Sequence, residues 1–331
     1  MRYKALVVRE EENGGFLRSI EQLDTDHLPD NDVLIRVHYS ALNYKDALSA
    51  TGHKGITRQF PHTPGIDAAG EVISDRAKLF HPGQQVLVTS YDLGMNTAGG
   101  FGEYIRVPAE WVIPLPEGMT LRRAMILGTA GFTAALALHK MEQSGQKPEM
   151  GPVLVTGSTG GVGTMALMLL KKAGYQTIAS TGKPEHAAFL RKLGADEIQP
   201  RSEWVDESNK PFLKTRCAGA IDTVGGKTLS TILKSAGLNA NIAVCGLVDQ
   251  PEFSTTVYPF IIKGNNLLGV ESATCDRLTR MHLWNALATH WTIDYPEEAV
   301  QEVDLQTLNE LCIPQILAGQ AKGRVLLKHE I

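Results

Sequence analysis

Cysteine is scarce in this chain of 331 residues. Only four are present, and no two of them form a Cys-x-x-Cys pair. Paired cysteines at that spacing hold structural zinc or form redox-active dithiols, so the sequence favours neither kind of site. We expect separate thiols, buried or partly exposed, in a reducing compartment. The four residues are Cys217, Cys245, Cys275 and Cys312.

The chain also lacks an excess of either charge and a long apolar run. Lys and Arg number 32, Asp and Glu 36, and the net charge is −4. This balance gives no basic footprint for nucleic acid or an anionic membrane. The longest apolar segment, residues 127–138, is shorter than the ~20 residues that span a bilayer and predicts a buried helix. The apolar run at residues 5–8 is too short for a signal peptide, so we expect a cytoplasmic protein.

The first third of the chain predicts a β-rich domain. Short runs rich in Val, Ile and Leu are separated by Gly, Pro, Asn and Asp, which favour turns. Their spacing suits a compact, partly antiparallel barrel. The predicted strands cover residues 4–8, 33–39, 70–73, 85–89 and 104–107.

The pattern changes near residue 121. Residues 122–140 have helical periodicity, and from residue 151 strands and helices alternate, as in the βαβ units of a parallel sheet. Strands are predicted at 153–156, 177–180, 219–222, 242–245 and 267–270, and helices at 162–173, 185–193 and 227–233. Gly174, Gly194 and Gly237 are predicted to end helices. The tail mixes helices with a last strand at 324–328 and is expected to return to the first domain.

A glycine-rich turn follows the first strand of the alternating region. Glycines at this spacing permit a sharp turn, let the backbone approach a pyrophosphate and let the next helix pack against the strand. The helix N-terminus then offers free N–H groups and a positive dipole end to the anion. Because a strand precedes it and a helix follows, the motif predicts a dinucleotide site rather than an unliganded turn. The turn consists of Gly157, Ser158, Thr159, Gly160, Gly161, Val162 and Gly163.

The end of the second strand indicates which dinucleotide binds. An NAD enzyme usually has Asp or Glu there, about 20 residues beyond the glycines. This chain has Ser180, Thr181, Gly182 and Lys183 instead. Hydroxyl groups, a glycine and an ammonium group suit a 2′-phosphate, which an acid would repel. Arg201 is either a second cation for that phosphate or a solvated loop arginine, and the sequence favours NADPH over NADH.

A β-rich domain followed by a Gly-x-x-Gly-x-x-Gly nucleotide domain resembles the medium-chain dehydrogenase/reductase superfamily. The resemblance covers essentially the whole chain and includes the strings ALNYKD at 41–46, PGIDAAG at 64–70, LGTAGFTA at 127–134, LGA at 193–195 and AIDTVGG at 220–226. Residues 42–48, 126–133 and 255–261 resemble its quinone oxidoreductase-like branch, and especially the acrylyl-CoA reductase family. The resemblance implies an α/β protein with two domains. These are a GroES-like partial barrel, residues 1–122 and 265–331, and a Rossmann-type doubly wound parallel sheet that binds NADPH, residues 123–264.

Two departures separate the chain from related dehydrogenases. Zinc members of the superfamily have Gly-His-Glu where this chain has Gly65, Ile66 and Asp67. Isoleucine cannot ligate a metal and no cysteine is nearby, so we expect a zinc-independent protein without a metal site. None of the eight tyrosines has a lysine four residues later. The Tyr-x-x-x-Lys pair of short-chain dehydrogenases is therefore absent.

The resemblance also implies the residues of the site. It places Asn43 and Tyr44 at the interdomain cleft near the nicotinamide, with Tyr44 as a donor or orienting hydroxyl and Asn43 as an amide donor. Alternatively, Tyr44 only packs against the cofactor and water supplies the proton. Thr129 and Thr133 are expected to contact the cofactor or, alternatively, to cap or pack their helix. The remaining contacts implied for the nicotinamide half are Leu247, Ile261 and Ser272.

Without zinc, a polarised alkene is a better substrate than an alcohol. The first hypothesis is therefore an NADPH-dependent reductase that adds hydride to the β-carbon of an α,β-unsaturated acyl-CoA, converting acrylyl-CoA to propionyl-CoA. The second is an enzyme of the same fold that reduces quinones or free enones. The third is a sensor or structural protein that binds NADPH without catalysis. By analogy with the family we expect a homodimer, with no nucleic-acid or membrane partner.

Overall fold

A computed structural model of the chain describes residues 1–321 and 323–330. Contacts between residues divide the chain into two units. Unit 1 comprises Met1–Thr129, Ala273–Ala288 and Tyr295–Ile331, and unit 2 comprises Ala130–Ser272 and Thr289–Asp294. The units begin and end at other residues than the predicted domains, whose boundaries stay a prediction.

Strands predominate in unit 1 and alternate with helices in unit 2. The strands are β1 (Arg2–Glu10), β2 (Phe16–Asp24), β3 (Val33–Ala41), β4 (Asp67–Asp75), β5 (Gln85–Thr89), β6 (Tyr104–Val107), β7 (Ile113–Pro114), β8 (Val153–Val155), β9 (Thr177–Thr181), β10 (Glu197–Pro200), β11 (Cys217–Asp222), β12 (Ala236–Val244), β13 (Asn266–Gly269), β14 (Val300–Val303) and β15 (Arg324–Lys328). The helices are α1 (Tyr44–Ala50), α2 (Leu121–Gln143), α3 (Gly161–Lys172), α4 (Ala187–Lys192), α5 (Gly226–Ser235), α6 (Tyr258–Ile261), α7 (Arg277–Ala288), α8 (Leu305–Thr307) and α9 (Ile313–Leu317).

Unit 1 contains a seven-stranded sheet in the order β14-β15-β3-β4-β5-β7, in which β6 also pairs with β3. Its pairs are antiparallel except that of β14 with β15. Val33, Ile35 and Val37, alternate residues of β3, are buried in one cluster with Val86 and Val88 of β5. This period of two is typical of a strand with one face in the core. The β-rich domain was predicted from another signal, the short apolar runs between turn-forming residues.

Unit 2 contains a parallel sheet of six strands in the order β10-β9-β8-β11-β12-β13. Since β8 comes first in the chain, this is the strand order of a doubly wound nucleotide-binding sheet. Leu154, Ile178, Ala220 and Ile242 come from four neighbouring strands and are buried in one cluster. The strand order reverses between β8 and β11, which leaves a crevice at the carboxyl ends of these strands. The predicted α/β fold is confirmed.

Four strands and one helix end differ from the prediction. β2, β10 and β14 are mostly half-buried or exposed, and β7 has two residues, so none shows a clear apolar alternation. The prediction is wrong at Gly237, because α5 ends at Ser235 and Gly237 lies inside β12. Ala236 is already extended, with φ −71° and ψ 150°, so the helix passes into a strand without a left-handed residue. Gly174 and Gly194 have φ of 86° and 105°, as predicted.

Helix α2 is interrupted at Gly128, whose φ of 51° and ψ of −155° are not helical. Residues 127–138 are buried apart from Thr129, so the predicted buried helix is confirmed. Among the residues described, α2 is also the one helix long and apolar enough to cross a membrane, yet 83 % of its apolar window is buried inside the protein. A core helix has this property.

Candidate active site

The glycine turn connects β8 to α3 in unit 2. Gly157 has φ of 57°, in the left-handed region that favours glycine. A Cβ on Gly163 would collide with the backbone of Gly157 and Ser158, so the helix packs at this distance only with glycine there. Helix α3 begins at Gly161, with Gly160 as its N-cap. The positive end of the helix dipole and the first N–H groups therefore lie at the turn, where they fit a pyrophosphate.

Hydrogen bonds join the turn to the strands on either side. The Ser158 N–H donates to the carbonyl of Ser180 in β9, at 3.2 Å. The Thr156 hydroxyl donates to Asp222 at the end of β11, at 2.6 Å, and the Thr223 hydroxyl donates to the Thr156 carbonyl, at 3.0 Å. Turn residues 157–163 are thereby fixed at the crevice where the strand order reverses.

The predicted 2′-phosphate loop follows β9. Ser180 and Thr181 are buried, and the Thr181 hydroxyl accepts a hydrogen bond from the Lys183 N–H at 3.0 Å. The Arg201 guanidinium lies against Gly182, with Nη2 at 3.1 Å from the position that a Cβ on Gly182 would occupy. Arg201 therefore lies beside the loop that contains Lys183. Binding of the 2′-phosphate of NADPH by these two cations stays a prediction.

Two residues expected near the nicotinamide meet in unit 2. The Thr133 hydroxyl donates to Ser272 Oγ at 2.8 Å. Leu247 is 64 % exposed in the loop after β12, and this loop packs against the backbone of Thr223, beside the glycine turn. Ile261 is 72 % exposed on α6 and lies apart from these hydrogen bonds. The contacts of all four residues with a cofactor stay a prediction.

Asn43 and Tyr44 lie at the start of α1 in unit 1. Tyr44 is the first helical residue and is 55 % exposed. The Asn43 amide donates to Asp67 Oδ2 at 2.8 Å and to the Ala41 carbonyl at 3.3 Å. Since both amide hydrogens are engaged inside the protein, the geometry favours Asn43 as the residue that fixes this loop. Donation by Asn43 or Tyr44 to a substrate stays a prediction.

Asp67 is the centre of a buried polar cluster in unit 1. Its carboxylate accepts from the Thr129 N–H at 2.9 Å, from the Thr129 hydroxyl at 2.6 Å and from the Asn43 amide. The Thr129 hydroxyl also lies 2.9 Å from Ser90 Oγ. Burial raises the pKa of Asp67, while the donors on Thr129 and Asn43 and the charge of Arg324 act in the opposite direction. The structure thus links the predicted residues Asn43 and Thr129 through Asp67.

Asp46 is a second buried carboxylate, within α1. Its Oδ2 accepts from the Asn43 N–H at 2.7 Å, and its Oδ1 accepts from the Ile66 N–H at 2.8 Å. Burial, followed by the charge of Asp67, raises the pKa of Asp46 to about 7. Asp46 therefore fixes the start of α1, and with it the position of Tyr44.

The interruption of α2 makes room for two charged groups. A Cβ on Gly128 would lie 2.5 Å from Asp67 Oδ2 and 3.0 Å from Arg324 Nη2. Arg324 is buried, and its Nε donates to the Ile126 carbonyl at 2.8 Å. Its Nη2 has no hydrogen-bond partner among the residues described. The non-helical backbone at Gly128 is followed by the Thr129 N–H, which reaches the Asp67 carboxylate.

Sequence reasoning missed three members of this cluster: Asp67, Ser90 and Arg324. A carboxylate inside an apolar string is one signal for Asp67, because buried charges are rare unless they are compensated. A glycine inside an apolar helix, here Gly128, is a signal for a break. The sequence around Ser90 and Arg324 offers no comparable signal.

Metal-ligating side chains are not clustered in the part of the chain that the structure describes, where no group of three or more His, Cys, Asp or Glu residues could hold an ion. Ile66, at the position where zinc members have histidine, is 2 % exposed. The four thiols are free, with Cys217 and Cys312 buried and Cys245 and Cys275 partly exposed, as predicted.

Known proteins match the chain along most of its length. Residues 29–117 match the family "Alcohol dehydrogenase GroES-like domain", and residues 161–284 match the family "Zinc-binding dehydrogenase". The protein named "Putative quinone oxidoreductase YhfP" of Bacillus subtilis is 42 % identical, over 93 % of this chain and 94 % of its own. The probable acrylyl-CoA reductase AcuI of Escherichia coli is 40 % identical, over 96 % and 98 %. The acrylyl-CoA reductase AcuI of Ruegeria pomeroyi is 39 % identical, over 98 % of each chain.

Solved structures share the fold. The yhdH oxidoreductase from Salmonella enterica in complex with NADP has a TM-score of 0.93 and 40 % identity, and the match covers 99 % of this chain and 100 % of that one. Bacillus subtilis yhfP with NAD bound has a TM-score of 0.95 and 40 % identity, with the same coverage. The chain belongs to the medium-chain dehydrogenase/reductase superfamily of oxidoreductases, in its quinone oxidoreductase-like branch.

Proposed function

We propose that this chain is a zinc-independent, NADPH-dependent reductase of α,β-unsaturated acyl-CoA thioesters, of the acrylyl-CoA type. The observation that carries the cofactor is the site of Lys183 and Arg201, where an NAD enzyme has an acid. Two acrylyl-CoA reductases, one of them named as probable, are 39 % and 40 % identical to almost the whole chain and support the substrate class.

The chain's own residues bind and orient the reactants. The N–H groups at the start of α3 bind the pyrophosphate, and Lys183 and Arg201 bind the 2′-phosphate. When bound, NADPH supplies the hydride for the β-carbon, and negative charge then develops on the thioester oxygen. Tyr44 donates a hydrogen bond to that oxygen, and Asn43 and Asp46 hold Tyr44 in position.

A second candidate is the reduction of quinones or free enones, and the name of the YhfP relative, 42 % identical, favours it. Steady-state kinetics with NADPH separates the two. We expect kcat/KM for acrylyl-CoA to exceed that for a simple quinone or a free enone by ~10²-fold, because CoA adds binding energy that a small enone lacks. A preference for the quinone would reject the acyl-CoA substrate. Binding of NADPH without turnover of any of the three would point to a sensor or structural protein.

A further inference from the structure

The proposed reduction requires a proton for the α-carbon of the substrate. A row of short hydrogen bonds in unit 1 can carry such a proton. Asp67 Oδ1 lies 2.6 Å from the Thr129 hydroxyl, which lies 2.9 Å from Ser90 Oγ. Asp67 and Ser90 are buried, whereas Thr129 is half-buried and is therefore the most exposed of the three. Ser90 has φ of 63°, so a strained backbone holds its hydroxyl at Thr129.

The charges around this line do not balance when both acids are ionised. Asp46 and Asp67 are fully buried, and Arg324 is the buried cation that acts on both. Two carboxylates and one guanidinium leave a net negative charge without water, which is costly and which one bound proton removes. One proton is therefore expected to reside on the pair of acids near neutral pH.

Hydrogen-bond geometry indicates which acid holds the proton. A protonated carboxyl must donate, and Asp46 is contacted by the backbone N–H groups of Asn43 and Ile66, which cannot accept. Asp67 is contacted by the Thr129 hydroxyl, which can either donate or accept. The proton consequently belongs on the Asp67–Thr129 hydrogen bond.

We propose that Asp67 stores the proton that the substrate's α-carbon receives and that the Thr129 hydroxyl delivers it. This inference rests on the proposed function. The Thr129 O–H bond breaks as the α-carbon–hydrogen bond forms, and the Asp67 proton moves to the Thr129 oxygen. The enolate returns to a saturated thioester, and Asp67 is left as a carboxylate. After the product leaves, water returns a proton to Asp67 through the same hydroxyl.

The surroundings of Asp67 suit both of its states. As a carboxylate it is stabilised by the Thr129 N–H and the Asn43 amide, and by the charge of Arg324 in β15. As an acid it is favoured by complete burial. The catalytic residue is Thr129, whose hydroxyl delivers the proton. Ser90 orients that hydroxyl, and Asp67 supplies the proton to it.

Substitution of Thr129 tests the delivery of the proton. Thr129→Val should lower the turnover of acrylyl-CoA by ~10²-fold, the typical size of a general-acid effect, and leave the Kd of NADPH unchanged. Thr129→Ser should restore most of the turnover, because it restores the hydroxyl. The matched control is Thr57→Val, since Thr57 forms another buried hydroxyl pair in unit 1, with Ser49 at 2.7 Å. Turnover of Thr129→Val within about twofold of the wild type would overturn the proposal.

Infrared spectroscopy of the cofactor-free protein tests the stored proton without any activity measurement. We expect the carbonyl band of a buried protonated carboxyl at neutral pH, present in Thr57→Val and lost in Asp67→Asn. A band that persists in folded Asp67→Asn, or no such band in the wild type, would overturn the proposal. If the wild type reduces no enoyl thioester, the proposed function fails, while the infrared result still decides where the proton is held.

Discussion

The exposed side chain of Arg201 lies against Gly182, in the loop that we propose binds the 2′-phosphate. Lys183 is joined to the same loop through the Thr181 hydroxyl. Charge-assisted hydrogen bonds to a phosphate are roughly twice as strong as neutral ones, so we expect single residues of this loop to affect the preference between two cofactors that differ by one phosphate.

Arg201→Ala should weaken NADPH binding by about 10-fold or more and leave NADH binding unchanged, because NADH has no 2′-phosphate for the arginine to contact. Fluorescence titration with each cofactor measures both Kd values. Arg191→Ala, at another exposed arginine of unit 2, is the matched control. Equal weakening of NADPH and NADH by Arg201→Ala would remove the arginine from the phosphate site.

Tyr44→Phe should reduce turnover by ~10²-fold with little change in the Kd of NADPH, because the lost hydroxyl stabilises charge that exists only in the transition state. Single-turnover kinetics and a binding titration separate the two effects. Tyr104→Phe, a half-buried tyrosine of β6 that packs on Tyr3, should behave as the wild type. Full activity of Tyr44→Phe would leave Tyr44 as a packing residue only.

At the scale of elements, the interruption of α2 connects a glycine in the sequence, Gly128, with the hydrogen bonds of Asp67. Only glycine fits at the interruption, because Asp67 and Arg324 occupy the space where the Cβ of another residue would be. The break thereby creates the position from which the Thr129 N–H and hydroxyl both reach Asp67.

Gly128→Ala should therefore destabilise the protein by several kcal/mol, since the added methyl group meets two buried charged groups as well as a left-handed backbone. The control is Gly145→Ala, with φ of 87° and open space around the Cβ position. That change should cost only about 1 kcal/mol of backbone strain. Urea unfolding of both variants measures the difference, and similar losses would mean that the contacts at Gly128 matter little.

The elements that could be predicted are those whose buried residues form a pattern in the local sequence. The bounds of β5, β6 and β15 are those predicted, because each is a short apolar run beside turn residues. Helix α3 and the glycine turn were also predictable, since the glycines have a physical task in the local chain. The Asp67 cluster was not, because its members come from distant parts of the sequence and meet only when β4, α1, α2 and β15 are assembled. No local pattern encodes such a contact.

At the scale of the whole molecule, buried titratable groups make stability depend on pH in opposite directions. Burial lowers the pKa of His329 to about 4, and the ring is held neutral with Nε2 donating to the Gly100 carbonyl at 2.9 Å. Burial raises the pKa of Asp46 to about 7. Burial also raises the pKa of Asp67. Between pH 4 and 6.5 the folded state thus binds fewer protons at His329, and more protons at the pair of Asp46 and Asp67, than the unfolded chain does.

The two contributions can be separated with single variants. The free energy of unfolding of the wild type, relative to His329→Gln, should fall as the pH drops from 6.5 to 4. Relative to Asp46→Asn, it should fall as the pH rises from about 4 to 7, by an amount on the order of a few kcal/mol. Urea unfolding across this range provides the data. A pH-independent difference for either variant would contradict the corresponding pKa shift.

The homodimer expected by analogy stays a prediction that light scattering can test.

The gathering of Asn43, Ser90, Thr129 and Arg324 around Asp67 has a consequence for engineering. Removal of Asp46, Asp67 and Arg324 from water works against folding. Replacement of such charged groups by apolar ones often leaves the stability of a protein unchanged or raises it. Selection for heat tolerance alone would therefore reward the loss of the groups to which we assign catalysis. Engineering of this enzyme for thermal stability therefore has to include an activity assay in every round of selection. Without that assay, the selected variants will be stable but inactive.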